Sequence, residues 1–242
     1  ESLAAALRGE ILRGRFRPGE RLPGERELAE RLGAHRSQVR EALRCLEQQG
    51  LVATRRGGGA LVRALGEASL EVVPHLLVVD GQLDRGLLEQ VLDVHELLIA
   101  GATRLAVERA DDDARLHACE LLERLASPTT GDDAYLDTAT ALLDLIVEAS
   151  GNLVLALARR AVDPFFEARF REVRKRFRPD PAQLAPLAAR LRRAIRERDP
   201  DVAEAQVREL LRLKRQRSLD ALESLHARLE PCAPNRPQED RP

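Results

Sequence analysis

The chain has 242 residues, of which 33 % are charged, 44 % hydrophobic and only 2 % aromatic; Ala, Leu and Arg lose little freedom in a helix, so this is the composition of a folded, mainly helical protein and not of a disordered tail. No apolar stretch approaches the roughly 18–20 residues of a membrane span, and Arg8, Glu10 and Arg13 break the first apolar stretch, so neither a transmembrane helix nor a signal peptide is expected. The net charge of −1 conceals an asymmetry: residues 1–65 hold 13 Arg and 8 Glu, a surplus of +5, and the remainder carries −6, so a basic module suited to a polyanion precedes an acidic one with another task.

Leu3, Leu7 and Ile11 recur every four residues and predict a helix over 2–13, with Ser2 as its cap and Gly14 as its stop. RFRPGERLP reads as a connector around Pro18 and Gly19. A short helix follows, with Leu28 and Leu32 inward and Gly33 closing it. The next helix turns Val39, Leu43 and Leu46 inward and ends at Gly50. Beyond Gly50 the period changes. LVATRRGGGALV reads as two short strands around a glycine-rich tip, a hairpin directly behind a helix-turn-helix. The expected head is therefore a winged helix-turn-helix over 1–65. Residues 66–83 read as a linker with a short helix around Pro74. Helices are expected at about 84–109, 111–126, 133–150, 152–177, 180–198 and 200–228, broken by Gly, Pro and Asp or Ser capping residues. The Pro-rich tail 229–242 is expected to be disordered. The fold class expected is mostly α: a winged head with a small β-hairpin and a C-terminal all-α bundle over 84–228. Cys45, Cys119 and Cys232 form neither a disulfide framework nor a zinc-ligand spacing and suit a reducing cytoplasm.

A recognition helix presents its first turn to base edges, and here that turn holds His35, Arg36, Ser37, Gln38 and Arg40. Arg clamps guanine O6 and N7, Gln clamps adenine, and Ser serves base or phosphate. Arg26 opens the preceding helix, where side chains meet phosphate. Arg56 stands at the wing tip beside Gly57, Gly58 and Gly59, suited to a minor groove. On an isolated helix these arginines would read as solvated. The order of helices, the breaker positions and the wing together favour DNA. The stretch FRPGERLPGERELAERLGAHRSQVREALRCLEQQGLVATRRGGGALV resembles the DNA-binding domain of GntR-type bacterial regulators. It shares their Pro-Gly turn, the Leu-Pro ahead of Glu-Arg-Glu-Leu-Ala, the Arg-x-x-Val-Arg-Glu-Ala-Leu helix and the Gly-rich wing. The resemblance implies that Arg26, Arg36, Arg40 and Arg56 contact DNA and that His35, Ser37 and Gln38 occupy variable base-reading positions.

LDTATALLDLIVEASGNLVLALA and RLRRAIRERDPDVAEAQVRELLRLK resemble the effector-binding domain of the FadR branch of that family. Many members bind a metal there through an Asp and three His. The matching positions here are Ala139, Leu143, Ala188 and Leu210, none of which can ligate a metal, so no metal and no other cofactor is expected. An Arg of the first long helix is replaced by His95, with Ile99 one turn on. A lone His among leucines also reads as a hydrogen-bonded core residue. The matched interior is apolar and leaves two readings. It accepts an apolar effector such as an acyl chain, as in the acyl-CoA-responsive founder of the branch, which has a segment comparable to 67–83; or leucines fill it and no small ligand binds. An enzyme is not expected, because no nucleophile–His–carboxylate set, phosphate-cradling loop or metal-ligand spacing occurs. The function expected is a cytoplasmic regulator that binds a short pseudo-palindromic duplex as a homodimer and responds to an acyl-CoA or organic acid, without membrane association. The alternative is a DNA-binding protein whose helical domain only dimerises.

Overall fold

A computed structural model describes residues 2–55, 59–79, 82–162, 171 and 174–229. The chain divides into two compact units, residues 1–90 with 156–167 and residues 91–155 with 168–242.

In the first unit, α1 (Leu3–Leu12) starts on Ser2, whose hydroxyl accepts from the Ala5 N–H at 3.2 Å. Its apolar face buries Leu7 and Ile11, with Leu3 packed alongside. The second helix, α2 (Glu25–Leu32), ends where Gly33 adopts φ 59° and ψ 35°. There the Ala34 N–H donates to Ala29 O at 3.0 Å and the Gly33 N–H to Glu30 O at 3.4 Å, the paired closure that a left-handed residue allows. The third helix, α3 (Arg36–Gln48), begins three residues after Gly33 and turns Val39, Leu43 and Leu46 into the same core as Leu28. Strands β1 (Val52–Arg55) and β2 (Gly59–Val62) pair antiparallel, with Val52 opposite Val62 and Arg55 opposite Gly59.

Part of the connector expected over 15–23 lies along the edge of this hairpin and bonds to it. The Gly19 N–H donates to Val62 O and the Leu22 N–H to Ala60 O, each at 2.8 Å, and the Val62 N–H donates to Glu20 O at 2.9 Å. Pairing of so short a segment through its backbone leaves no hydrophobic alternation to read. Gly50 is conformationally required: its φ is +71°, and a Cβ there would lie 2.7 Å from Glu67 O. The segment after the wing carries 3-10 turns at Leu65–Glu67 and Leu70–Val72, then α4 (Val73–Leu77), with Pro74 in its first turn. A two-residue hairpin, β3 (Val78–Val79) with β4 (Gln82–Leu83), stands where a plain linker is expected.

The helices that follow are α5 (Arg85–Arg109), α6 (Asp112–Ala126), α7 (Asp132–Ala149), α8 (Leu153–Val162), α9 (Pro181–Glu197) and α10 (Pro200–Leu229). Of the helix expected over 152–177, α8 is described only as far as Val162, and most of the remainder lies outside the described residues, as do residues 230–242 of the tail. Within the second unit α6 packs on both α7 and α9, and α9 packs on α10. Leu122, Leu184, Leu191 and Ala203 are fully buried there. Among the described residues carboxylate caps start four of these helices: Asp84 accepts from the Leu87 N–H at 2.9 Å, Asp111 from Ala114 at 2.8 Å, Asp180 from Ala182 at 2.9 Å and Asp199 from Val202 at 3.0 Å. Between α7 and α8, Gly151 takes φ +60° and Asn152 Oδ1 accepts from the Val154 and Leu155 N–H groups. The fold is thus mostly α, a winged helix-turn-helix with a small hairpin followed by an all-α domain.

Candidate functional site

The first turns of α3 present a polar surface on an apolar support. His35, Arg36, Ser37, Gln38 and Arg40 are all exposed, while Val39 between them is fully buried. The left-handed Gly33 makes this possible, because it lets the chain leave α2 and start α3 within three residues. Two of the expected base readers are already engaged. The His35 backbone N–H donates to Gln38 Oε1 at 2.9 Å, so Gln38 closes the helix N-terminus and keeps only its amide N–H groups for another partner. Arg40 donates from Nε and Nη2 to the two carboxylate oxygens of Glu25 at 3.2 and 2.8 Å. These hydrogen bonds, aided by the nearby Arg36 charge, hold the Glu25 carboxyl below its ordinary range. Arg26 pairs along its own helix with Glu30 at 3.2 Å.

The hairpin is clamped to the far end of the recognition helix. The Thr54 N–H and hydroxyl donate to Glu47 Oε1 at 2.8 and 2.7 Å, and this pair of donors holds the Glu47 carboxyl below its ordinary range. The clamp ties strand β1 to α3. No sequence spacing announces it, because Glu47 and Thr54 meet only across the turn at Gly50. Arg56 and Gly57, nominated for the wing tip, lie outside the described residues.

In the second unit the nominated effector positions differ in environment. Ile99, Leu143 and Ala188 are buried; His95, Ala139 and Leu210 are half-buried. The unit holds an apolar cavity of about 30 Å³ whose walls include Thr103 and Val107 of α5, Leu122 of α6, Ile146 of α7 and Leu191 and Ile195 of α9. None of the six nominated residues lines it. Its size suits a water molecule or a methyl group and not an acyl chain. Ala139, Leu143, Ala188 and Leu210 offer no ligand atom to a metal, and among the described residues no cluster of three or more His, Cys, Asp or Glu could hold one. Cys45 and Cys119 are free thiols, while Cys232 lies outside the described residues. Among the described residues no helix is long and apolar enough to cross a membrane.

Comparison with known proteins agrees with this division of labour. Residues 1–62 match the bacterial regulatory proteins of the gntR family, and residues 90–213 match the FCD domain. The HTH-type transcriptional regulator Mce2R of Mycobacterium tuberculosis is 32 % identical over 143 residues, which is 57 % of this chain and 58 % of that protein. The chain therefore spans less than two thirds of that relative's length. A second HTH-type transcriptional regulator of M. tuberculosis, Rv0494, is 30 % identical over 172 residues, covering 70 % of this chain and 69 % of its own. Among solved structures, Lar, which controls the expression of the Listeria monocytogenes agr system and mediates virulence, superposes with a TM-score of 0.52 at 17 % identity over 94 % of this chain and 96 % of that one; this is a likeness of fold. These relatives are regulators and not enzymes. The chain belongs to the GntR family of bacterial regulatory proteins and carries an FCD domain.

Proposed function

We propose that this chain is a transcription regulator whose head reads duplex DNA and whose helical domain answers to a small molecule. The observation that carries the reading is the exposed set Arg36, Ser37, Gln38 and Arg40 on the first turns of a helix seated on a buried core. In this reading Arg26, Arg36 and Arg40 contact DNA, His35, Ser37 and Gln38 stand at base-reading positions, and Arg56 with Gly57 reaches the minor groove from the wing. The finer reading is a cytoplasmic homodimer of the FadR type on a short pseudo-palindromic operator. Its effector is an acyl-CoA or an organic acid held near His95, Ile99, Ala139, Leu143, Ala188 and Leu210.

Duplex selection from a random pool, followed by titration at several salt concentrations, tests the first part. A selected duplex should bind with an affinity that falls steeply as salt rises, because each neutralised phosphate releases counterions. No selection, or affinity independent of salt, would refute it. One observation favours the alternative for the helical domain: the apolar cavity among its described residues is about 30 Å³ and is lined by other residues. An acyl chain would not fit that cavity without its walls moving apart. A thermal-shift series with acyl-CoAs and organic acids separates the two, since a ligand that binds only the native state raises its stability.

A further inference from the structure

We infer that Glu25 is a positioning residue for base reading: it grips one edge of the Arg40 guanidinium and aims the other edge at the DNA. This rests on the DNA-binding reading of the head and goes one residue further. A guanidinium carries five N–H donors in a rigid planar fork. Glu25 takes one from Nε and one from Nη2. The two N–H groups on the end of the fork, one from each Nη, face away from that carboxylate, and among the described residues no hydrogen bond to Nη1 is made. The end fork has the spacing that a guanine O6 and N7 pair accepts.

Both side chains are well exposed, Arg40 at 59 % and Glu25 at 39 %, so the pair adds little to folding. Its effect falls instead on a long side chain that would otherwise sample many rotamers and would have to be ordered when DNA binds. The direct hydrogen bonds from Arg40 hold the Glu25 carboxyl below its ordinary value, so the ionised form that makes the grip is the one present at neutral pH. Glu25 lies fifteen residues before Arg40 on a different helix. The turn at Gly33 brings the two together, and the same turn presents α3.

The experiment selects duplexes from a random pool with the full chain and with Glu25→Ala, Glu25→Gln and Arg40→Ala, then measures affinity for the selected duplex and for single-base variants of it. Arg40→Ala should erase the preference at one position of the site. Glu25→Ala should reduce the preference at that same position roughly tenfold, with the other positions unchanged and binding to unrelated duplex no weaker. Glu25→Gln, which keeps the shape and one acceptor, should fall between Glu25→Ala and wild type. Thermal melts confirm that each variant is folded. If Glu25→Ala keeps the wild-type preference at the position that Arg40→Ala erases, the positioning role is overturned and the DNA-binding reading stands. If the unmodified chain selects no duplex, the DNA-binding reading itself is overturned, and this inference with it.

Discussion

The winged head and the helical domain differ in how far their arginine pairs reach along the chain: up to 21 residues in the head and up to 122 in the bundle, among the described residues. In the head, Arg36 stands exposed at the start of α3; Arg26 pairs with Glu30 and Arg44 with Glu41 on the same helix, Arg40 with Glu25 on the neighbouring one, and Arg31 of α2 with Glu10 of α1 at 2.7 Å. In the helical domain, besides pairs within one helix such as Arg193 with Glu197, cations bridge both consecutive helices and helices far apart in sequence. Arg104 pairs with Asp201, Arg215 with Asp93, and Arg190 with Glu209 at 3.2 Å. Arg171 joins Asp133 and Asp137 at 2.8 and 2.9 Å. The long-range bundle pairs are exposed, so each contributes little by itself, and what distinguishes them is that they tie together segments far apart in the chain. In the DNA-binding reading proposed above, the same residue type serves an interface in one region and joins distant helices in the other.

The comparison breaks first at the cores. Leu46 in the head and Leu191 in the bundle are both fully buried. Replacing either by Ala should cost about 2–5 kcal/mol in urea melts. Only Leu46→Ala should also weaken duplex binding, measured by anisotropy where both variants are folded; equal binding by the two would remove the division between the regions. Next in size, Arg36→Ala should lose about 1–3 kcal/mol of affinity for a selected duplex with an unchanged melt. Arg190→Ala, at the exposed bundle pair, should leave that affinity alone.

The helix ends sharpen the contrast further. Gly33 and Arg198 both close a helix in the left-handed region, with φ 59° and 55°. Gly33 has open space around it, so Gly33→Ala should cost about 1 kcal/mol through backbone strain alone. Gly50→Ala should cost more, since the added Cβ also meets Glu67 O at 2.7 Å. Arg198→Gly should stabilise the bundle by up to about 1 kcal/mol, because it removes the same strain. Chemical denaturation of the three variants ranks them.

The smallest effect concerns acid. Hydrogen bonds from Arg171 hold the Asp133 and Asp137 carboxyls below their ordinary 3.8. Depressed folded values mean that the stabilisation is complete above the unfolded value and disappears as pH falls through the folded ones. Both carboxylates are exposed, so the effect is small and screened by salt. Wild type and Arg171→Ala should melt apart at neutral pH and low salt and converge below pH 3.8. A gap that persists in acid would assign Arg171 a packing role instead.

Much of this protein is determined by short-range sequence. Leu7 and Ile11, Leu28, and Val39 with Leu43 and Leu46 are inward because helical period puts them on one face, and Ser2, Gly33 and Gly50 end or start helices through chemistry confined to a few residues. The exposed polar surface on the first turns of α3 follows from the same period, as the complement of its buried stripe. Tertiary structure alone decided what depends on how elements cross. It paired residues 19–22 with β2, brought Glu47 to Thr54 and Glu25 to Arg40, and set a 30 Å³ cavity between α5, α6, α7 and α9 away from the positions that the family resemblance implied. Ile99 and Ala188 are buried while Ala139 and Leu210 are only half covered, although counting along the chain gives all four the same standing. The reason is physical: a period along one helix says which face turns inward, but the residues it meets there depend on the crossing angle and offset of the partner helix, which no local pattern encodes.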